Sequence, residues 1–123
     1  MATTDLTFKE FGSTIEGNEI VLVDFWAAWC GPCRMFSPIY EKVSEKYPDV
    51  VFGKVDTEAE QQLAAAAQIS SIPTLMAFRQ GIAVFRHSGV LQAEALEDVI
   101  EQIKGLDMDD VRRQIDEAEQ QQK

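Results

Sequence analysis

Residues 20–33 read Ile20-Val21-Leu22-Val23-Asp24-Phe25-Trp26-Ala27-Ala28-Trp29-Cys30-Gly31-Pro32-Cys33. Ile20 to Trp26 is apolar except at Asp24, the pattern of a central strand covered on both faces. Cys30 and Cys33 follow, and they are the only 2 cysteines of the 123 residues. Thiols with two residues between them meet only where the backbone curls back on itself, as it does in the first turn of an α-helix. A helix start also presents free N–H groups and the positive end of the peptide dipole, which favour a thiolate. A strand running into a helix with this pair at the junction points to a reversible dithiol/disulfide couple.

Composition bounds the rest. A chain of 123 residues with 46% hydrophobic content and 7 Phe suits one globular domain with a proper core. No apolar run approaches the roughly 20 residues of a membrane helix. Met1-Ala2-Thr3-Thr4-Asp5 lacks a basic region and a following apolar segment, so no secretory signal is read and a cytoplasmic setting is expected. The net charge of −10 disfavours nucleic acid as a partner, and the acidity is read as solubility. With no cysteine outside the pair there is no disulfide framework. In a reducing cytosol such a solitary pair is catalytic or metal-binding rather than structural.

Working outward, Thr7 and Glu10 fit a capping box, and Phe8, Phe11 and Ile15 follow at helical spacing up to Gly17-Asn18. After Cys33, Phe36, Ile39, Tyr40 and Val43 mark one face of a helix that ends before Pro48 and holds Pro38 inside it, where a kink is expected. Val50–Val55 is a second strand and Glu60–Ala67 a short Ala-rich helix. Thr74–Phe78 and Ile82–Phe85 read as a hairpin turning at Gln80-Gly81. Leu96, Val99, Ile100 and Ile103 give a last amphipathic helix, closed near Gly105. Strand-helix-strand followed by a hairpin implies an α/β fold, a mixed sheet with helices on both faces. Residues 106–123 form an acidic, Gln-rich tail in which Asp109 could cap a short helix with Val111, Ile115 and Ala118 on one side. Those three anchors leave two readings, a frayed solvated helix or docking on this domain or a partner.

From about residue 6 to 105 the chain resembles the thioredoxin family. The resemblance rests on Asp24-Phe25-Trp26-Ala27, Trp29-Cys30-Gly31-Pro32-Cys33, Lys54-Val55-Asp56, Ile72-Pro73-Thr74, Gly81 and Gly89. Gly-Pro between the cysteines resembles thioredoxins themselves rather than the disulfide isomerases, periplasmic oxidants or glutaredoxins. The implied architecture is a thioredoxin domain over residues 1–105, with a mixed sheet of four to five strands, four flanking helices and a C-terminal helical extension. The sequence departs from the family at both ends and in the active loop. Only Ala2-Thr3-Thr4 could serve as the usual first strand, so that edge is expected to be short or absent. Arg34 stands where Lys is common, and the tail has no counterpart in a minimal member.

The resemblance also implies roles. Cys30 is the attacking thiol, and Cys33, further into the helix and more buried, resolves the mixed disulfide. Asp24 shares a strand face with Leu22 and Trp26, so burial and a raised pKa are expected; the alternative is a strand-end carboxylate turned to solvent. A carboxyl near neutrality would take the proton of Cys33, through water as the resemblance implies. Lys54 on the neighbouring strand would offset that charge, or else be a surface lysine. Pro73 is expected to be cis, leaving the backbone of Ile72 free to pair with an extended substrate. Trp29, Gly31, Ile72, Gly89 and Val90 would form an apolar docking rim, with Thr74 in the same loop and Pro32 restricting the active one. For Trp29 the alternative is core packing, and Trp26 is read as packing under the site. His87, the only histidine, is read as a surface or edge residue.

Three functions compete. One is a general protein-disulfide reductase, monomeric and acting in electron transport and cell redox homeostasis. It would be recharged by a thioredoxin reductase, act on oxidised substrate proteins, and need no bound cofactor because the disulfide carries the electrons. The second is a scaffold whose tail recruits a partner. The third is a metal site, for which two thiols fall short of the four ligands structural zinc needs unless two copies share the ion.

Overall fold

The structure is a computed structural model and describes residues 2–121. Its central strand is β2, Ile20–Trp26, which pairs in parallel with β3, Val51–Asp56, and antiparallel with β4, Thr74–Arg79. A short strand β1, Thr3–Asp5, pairs in parallel with the outer side of β3, and β5, Ile82–Ser88, pairs antiparallel with β4. The sheet order is therefore β1-β3-β2-β4-β5. The first strand is present but short, and β5 runs past the expected Phe85, because His87 and Ser88 still pair with Leu75 and Thr74.

Alternation along β2 sorts the core into two layers. Ile20 and Leu22 face helices α2, Gly31–Ser44, and α4, Ala93–Lys104. There they pack with Phe36, Tyr40, Val43, Phe52, Leu75, Leu96, Ile100 and Ile103. Val21, Val23 and Phe25 face the other way, toward α1, Phe8–Gly17, and α3, Gln61–Ala66, with Leu6, Ile15, Val55 and Leu63. Helix α2 continues through Pro38. Tyr40 sits between the rings of Phe36 and Phe52, with centroids 5.5 and 5.1 Å away, and its hydroxyl donates to the Gly53 carbonyl at 2.8 Å. A Cβ at Gly53 would lie 2.5 Å from Leu6 Cδ1 and 3.2 Å from the Leu22 carbonyl oxygen, so a side chain there requires Leu6 to move.

The start of α1 departs from a capping box. Thr7 is the N-cap, but its hydroxyl donates to the Glu10 carboxylate at 2.7 Å, and the Phe8 N–H is taken by Glu60 Oε1 at 2.8 Å. An exposed carboxylate is a stronger acceptor than a hydroxyl, so the side chains bond each other and a second acid serves the backbone. The hairpin turns through Gln80 and Gly81, at φ 52° and 80°. Both central residues are thus left-handed, as a tight hairpin of this twist requires.

The last helix, α5, spans Met108–Gln121; Met1, Gln122 and Lys123, which the expected domain and tail included, lie outside the described residues. Its cap is Asp107, whose Oδ1 accepts the Asp110 N–H at 3.1 Å, and not Asp109, which already stands in the first turn. An Asp caps by accepting from an N–H two or three positions ahead, which Asp107 can do and a residue inside the turn cannot. The helix docks rather than frays at its start: Met108 is buried, and Val111, Ile115 and Ala118 line a groove with Ile82, Val84 and Leu106. From Arg112 onward the helix is exposed, and Arg113 pairs with Asp110 and with Glu117.

Arg79 fastens this end of the molecule. Its Nη1 faces the carbonyls of Ile103, Lys104 and Leu106 at 2.9, 3.2 and 2.8 Å, while Nε donates to Glu19 at 3.1 Å. The last carbonyls of a helix have no partner within it, so one guanidinium satisfies the end of α4 and holds the link to α5. Arg79→Met should therefore cost about 2–3 kcal/mol in urea denaturation and speed amide exchange in α5. Unchanged stability and exchange would show the clamp to be idle.

Candidate active site

The site forms where β2 ends. Thr57 N–H and hydroxyl close on the Trp26 carbonyl at 2.9 and 3.0 Å, and the chain then turns through Ala27, which is buried, into Cys30. Cys30 is the N-cap of α2, with φ −90° and ψ 113°, and its Sγ accepts the Cys33 N–H at 3.2 Å. The cap that Ser, Thr, Asp or Asn usually provides is here a sulfur. Cys30 and Cys33 are joined as a disulfide across a Cα–Cα distance of 5.2 Å. Both are buried, at 4% and 2% exposure, so the expected contrast between them is small in this oxidised state.

Facing the pair is the loop before β4. The Ile72–Pro73 peptide is cis, and the Ile72 carbonyl oxygen lies 3.7 Å from Cys30 Sγ. Gly89, at φ 105°, donates its N–H to the Pro73 carbonyl at 2.8 Å, a backbone state that a side chain would strain. Thr74 is buried, and its hydroxyl donates to the Ser71 carbonyl at 2.5 Å, holding the loop from inside. Ile72, Gly89 and Val90 are half-buried. Trp29 is 66% exposed, which removes the core-packing alternative, and its indole N–H donates to Glu58 at 2.9 Å. Met35, 64% exposed on α2 two residues beyond Cys33, adds a second apolar surface that was not expected from the sequence. The signal is there: Met35 falls outside the buried stripe of Phe36, Ile39, Tyr40 and Val43. His87 lies on the edge strand β5 beside Phe85, with ring centroids 6.4 Å apart. Among the described residues no group of three or more His, Cys, Asp or Glu side chains gathers at metal-binding distance.

Asp24 lies on β2, on the face turned toward α2. It is fully buried, and neither carboxyl oxygen has a hydrogen-bond partner. Burial pushes its pKa up from 3.8 to about 7, and the Lys54 charge, the smaller effect, pulls the other way. Lys54 is the cross-strand neighbour of Asp24, so the two side chains share a face. Yet the ammonium forms no ion pair with the carboxyl. It donates to Ser37 Oγ at 2.9 Å and rests 5.2 Å from the centroid of the Trp26 ring. The Trp26 indole N–H is also buried without a partner. A crevice of about 100 Å³ opens here, lined by Trp26, Ala27, Ala28, Cys33, Arg34, Ser37 and Lys54. It has room for water and brings polar groups beside Cys33.

A carboxyl raised in this way opposes folding when ionised. Below pH 3.8 the folded and unfolded chains both hold the proton. Between pH 3.8 and about 7 the unfolded chain releases it while the folded chain keeps it, so stability falls as pH rises; above about 7 the full cost applies. Asp24→Asn should therefore stabilise the protein by up to about 4 kcal/mol at pH 8, with the gain fading toward pH 4, as read by urea denaturation. An equal gain at both pH values would refute the buried-charge explanation.

Comparison with known proteins agrees with this geometry. A sequence profile described as Thioredoxin matches residues 2–102. "Putative thioredoxin 2" of Streptomyces coelicolor is 57% identical over 120 residues, covering 98% of this chain and 88% of the relative, so the likeness extends into the tail. Among solved structures, a mutant thioredoxin from Halobacterium salinarum superposes with a TM-score of 0.79 at 34% identity, covering 85% of this chain and 93% of that one. The thioredoxin of Plasmodium falciparum gives a TM-score of 0.76 at 38% identity, covering 81% and 98%.

Proposed function

The chain belongs to the thioredoxin family and is a protein-disulfide oxidoreductase, and on that premise we propose that it serves as a general reductant of protein disulfides. The observation that carries this reading is the placement of Cys30: a sulfur at a helix N-cap, fed by a backbone N–H, with a backbone carbonyl 3.7 Å away on the facing loop. In the reduced protein that position favours the thiolate.

The Cys30 thiolate attacks one sulfur of a substrate disulfide. A mixed disulfide forms, and the other substrate sulfur leaves as a thiolate and takes a proton. Cys33 then loses its proton and attacks Cys30 Sγ. The intermolecular bond breaks, the second substrate sulfur leaves, and the Cys30–Cys33 bond closes. Two electrons have passed to the substrate. Asp24 accepts the Cys33 proton, for which a carboxyl titrating at about 7 is matched near neutral pH. Water in the crevice beside Cys33 relays it. Lys54 tempers the charge that Asp24 acquires. Pro73 offers the neighbouring Ile72 carbonyl and N–H to an extended substrate strand. Trp29, Gly31, Ile72, Gly89, Val90 and Met35 make the surface on which the substrate lies, Pro32 stiffens its near edge and Thr74 its far loop.

The dithiol is restored by a thioredoxin reductase, and the setting is the cytoplasm, where the protein sustains electron transport and redox balance as a monomer. No helix among the described residues is long and apolar enough to cross a membrane. Residues 1–105 carry the redox unit and residues 106–123 are an appendage to it.

Cys30→Ser should abolish reduction of insulin disulfides, a loss of at least 10³-fold on the order expected for a missing nucleophile, with the fold retained. Cys33→Ser should instead accumulate a mixed disulfide through Cys30, visible by mass spectrometry. Retained turnover in Cys30→Ser, or trapping through Cys33, would overturn these roles.

A further inference from the structure

Lys54 poses a question that the catalytic cycle leaves open. A long, flexible cation stands opposite a buried carboxyl that has no hydrogen bond, on the same face of neighbouring strands, and does not pair with it. An ammonium free to choose would turn to the carboxylate, since an opposite charge at close range in a poorly hydrated place is its strongest partner. Something holds it elsewhere. Two contacts do: the Ser37 hydroxyl at 2.9 Å and the face of Trp26, 5.2 Å to the centroid. Ser37 is on α2, one helical turn beyond Cys33, and lies in the wall of the crevice that Cys33 and Lys54 share.

We propose that Ser37 is a positioning residue: its hydroxyl tethers the Lys54 ammonium away from Asp24, and so keeps that carboxyl able to hold a proton in the folded protein. This rests on the reading of Asp24 as the acceptor of the Cys33 proton, and it adds the device that preserves the acceptor. With the cation paired onto it, the carboxylate would be too weak a base at neutral pH.

The other groups around Asp24 leave Lys54 as the variable charge. From α2, Tyr40 faces it, but its phenol is fully buried, donates to Gly53, and has its pKa raised well above the ordinary value by burial and by Asp24 itself. Also from α2 come Cys33, which does not titrate while the disulfide is closed, and Arg34, exposed at the mouth of the crevice. From β4 the neighbour is Leu75, and the α4 residues in this layer, Leu96 and Ile100, are apolar. Lys54 is the charged group that acts on the Asp24 carboxyl.

The test is the titration of the Asp24 carboxyl carbon by NMR in the oxidised protein, where neither sulfur titrates and no substrate is present. Ser37→Ala should lower the Asp24 midpoint by about one pH unit or more, as an opposite charge at closer range does. Ser37→Thr, which keeps a hydroxyl on the same carbon, should leave the midpoint near that of the parent. In a Lys54→Gln background the Ser37→Ala change should have no further effect, because the cation it releases is gone. An unmoved midpoint in Ser37→Ala, or the same fall with Lys54 replaced, would overturn the tether. Because this titration needs no turnover, it stands apart from the reductase assay: inactivity of the parent protein on insulin would sink the proposed function while the tether could still be read.

Discussion

The constraint on which the rest depends is that β2 is buried on both faces. Six of its seven residues are buried, and its side chains alternate into two separate apolar layers. A strand held in this way cannot slip by one residue, because a slip would exchange the two layers. Whatever follows its last residue is therefore delivered to a fixed point. Here that is a turn into α2 with a sulfur at the N-cap of the helix. The same burial makes Asp24 unusual, since it sits within this strand and shares its layer with Leu22, Phe52 and Tyr40. One strand thus sets both the location of the reacting sulfurs and the medium of the Asp24 carboxyl.

Much of the architecture can be read from spacing. The Ile20–Trp26 run and the Phe36, Ile39, Tyr40, Val43 stripe are long, strongly patterned segments in which period alone decides the element. The ends are harder. At β5, pattern suggests a stop at Phe85, but pairing with Leu75 and Thr74 carries the strand to Ser88. At α5, two nearby acids compete for the cap and only geometry separates Asp107 from Asp109. The tail's position is also beyond reach, because the β5 residues that line a groove together with Val111 and Ile115 stand about thirty positions away in the chain.

The site divides along the same line. Cys30, Cys33 and buried Asp24 follow from which residue types stand on which face of which element. The behaviour of Lys54 does not, because four rotatable bonds let one backbone position reach several partners. Strand pairing places it beside Asp24, yet the contact it makes is with Ser37, a residue that no periodicity singles out. Exposed Trp29 agrees with its place in the expected docking rim, whereas Met35 shows only as a residue outside the buried stripe of α2.

The clasp formed by Arg79 has a practical side. It gathers the end of α4, the linking residues and the start of α5 at the edge where β2 begins, and α5 stays beside the first residues of β5 as far as Ala118. The sulfurs lie past the other end of β2, a strand length of roughly 20 Å away. Cargo attached through α5, whether a dye, a bead or another protein, would hang from the heel of the molecule and leave its working tip uncovered.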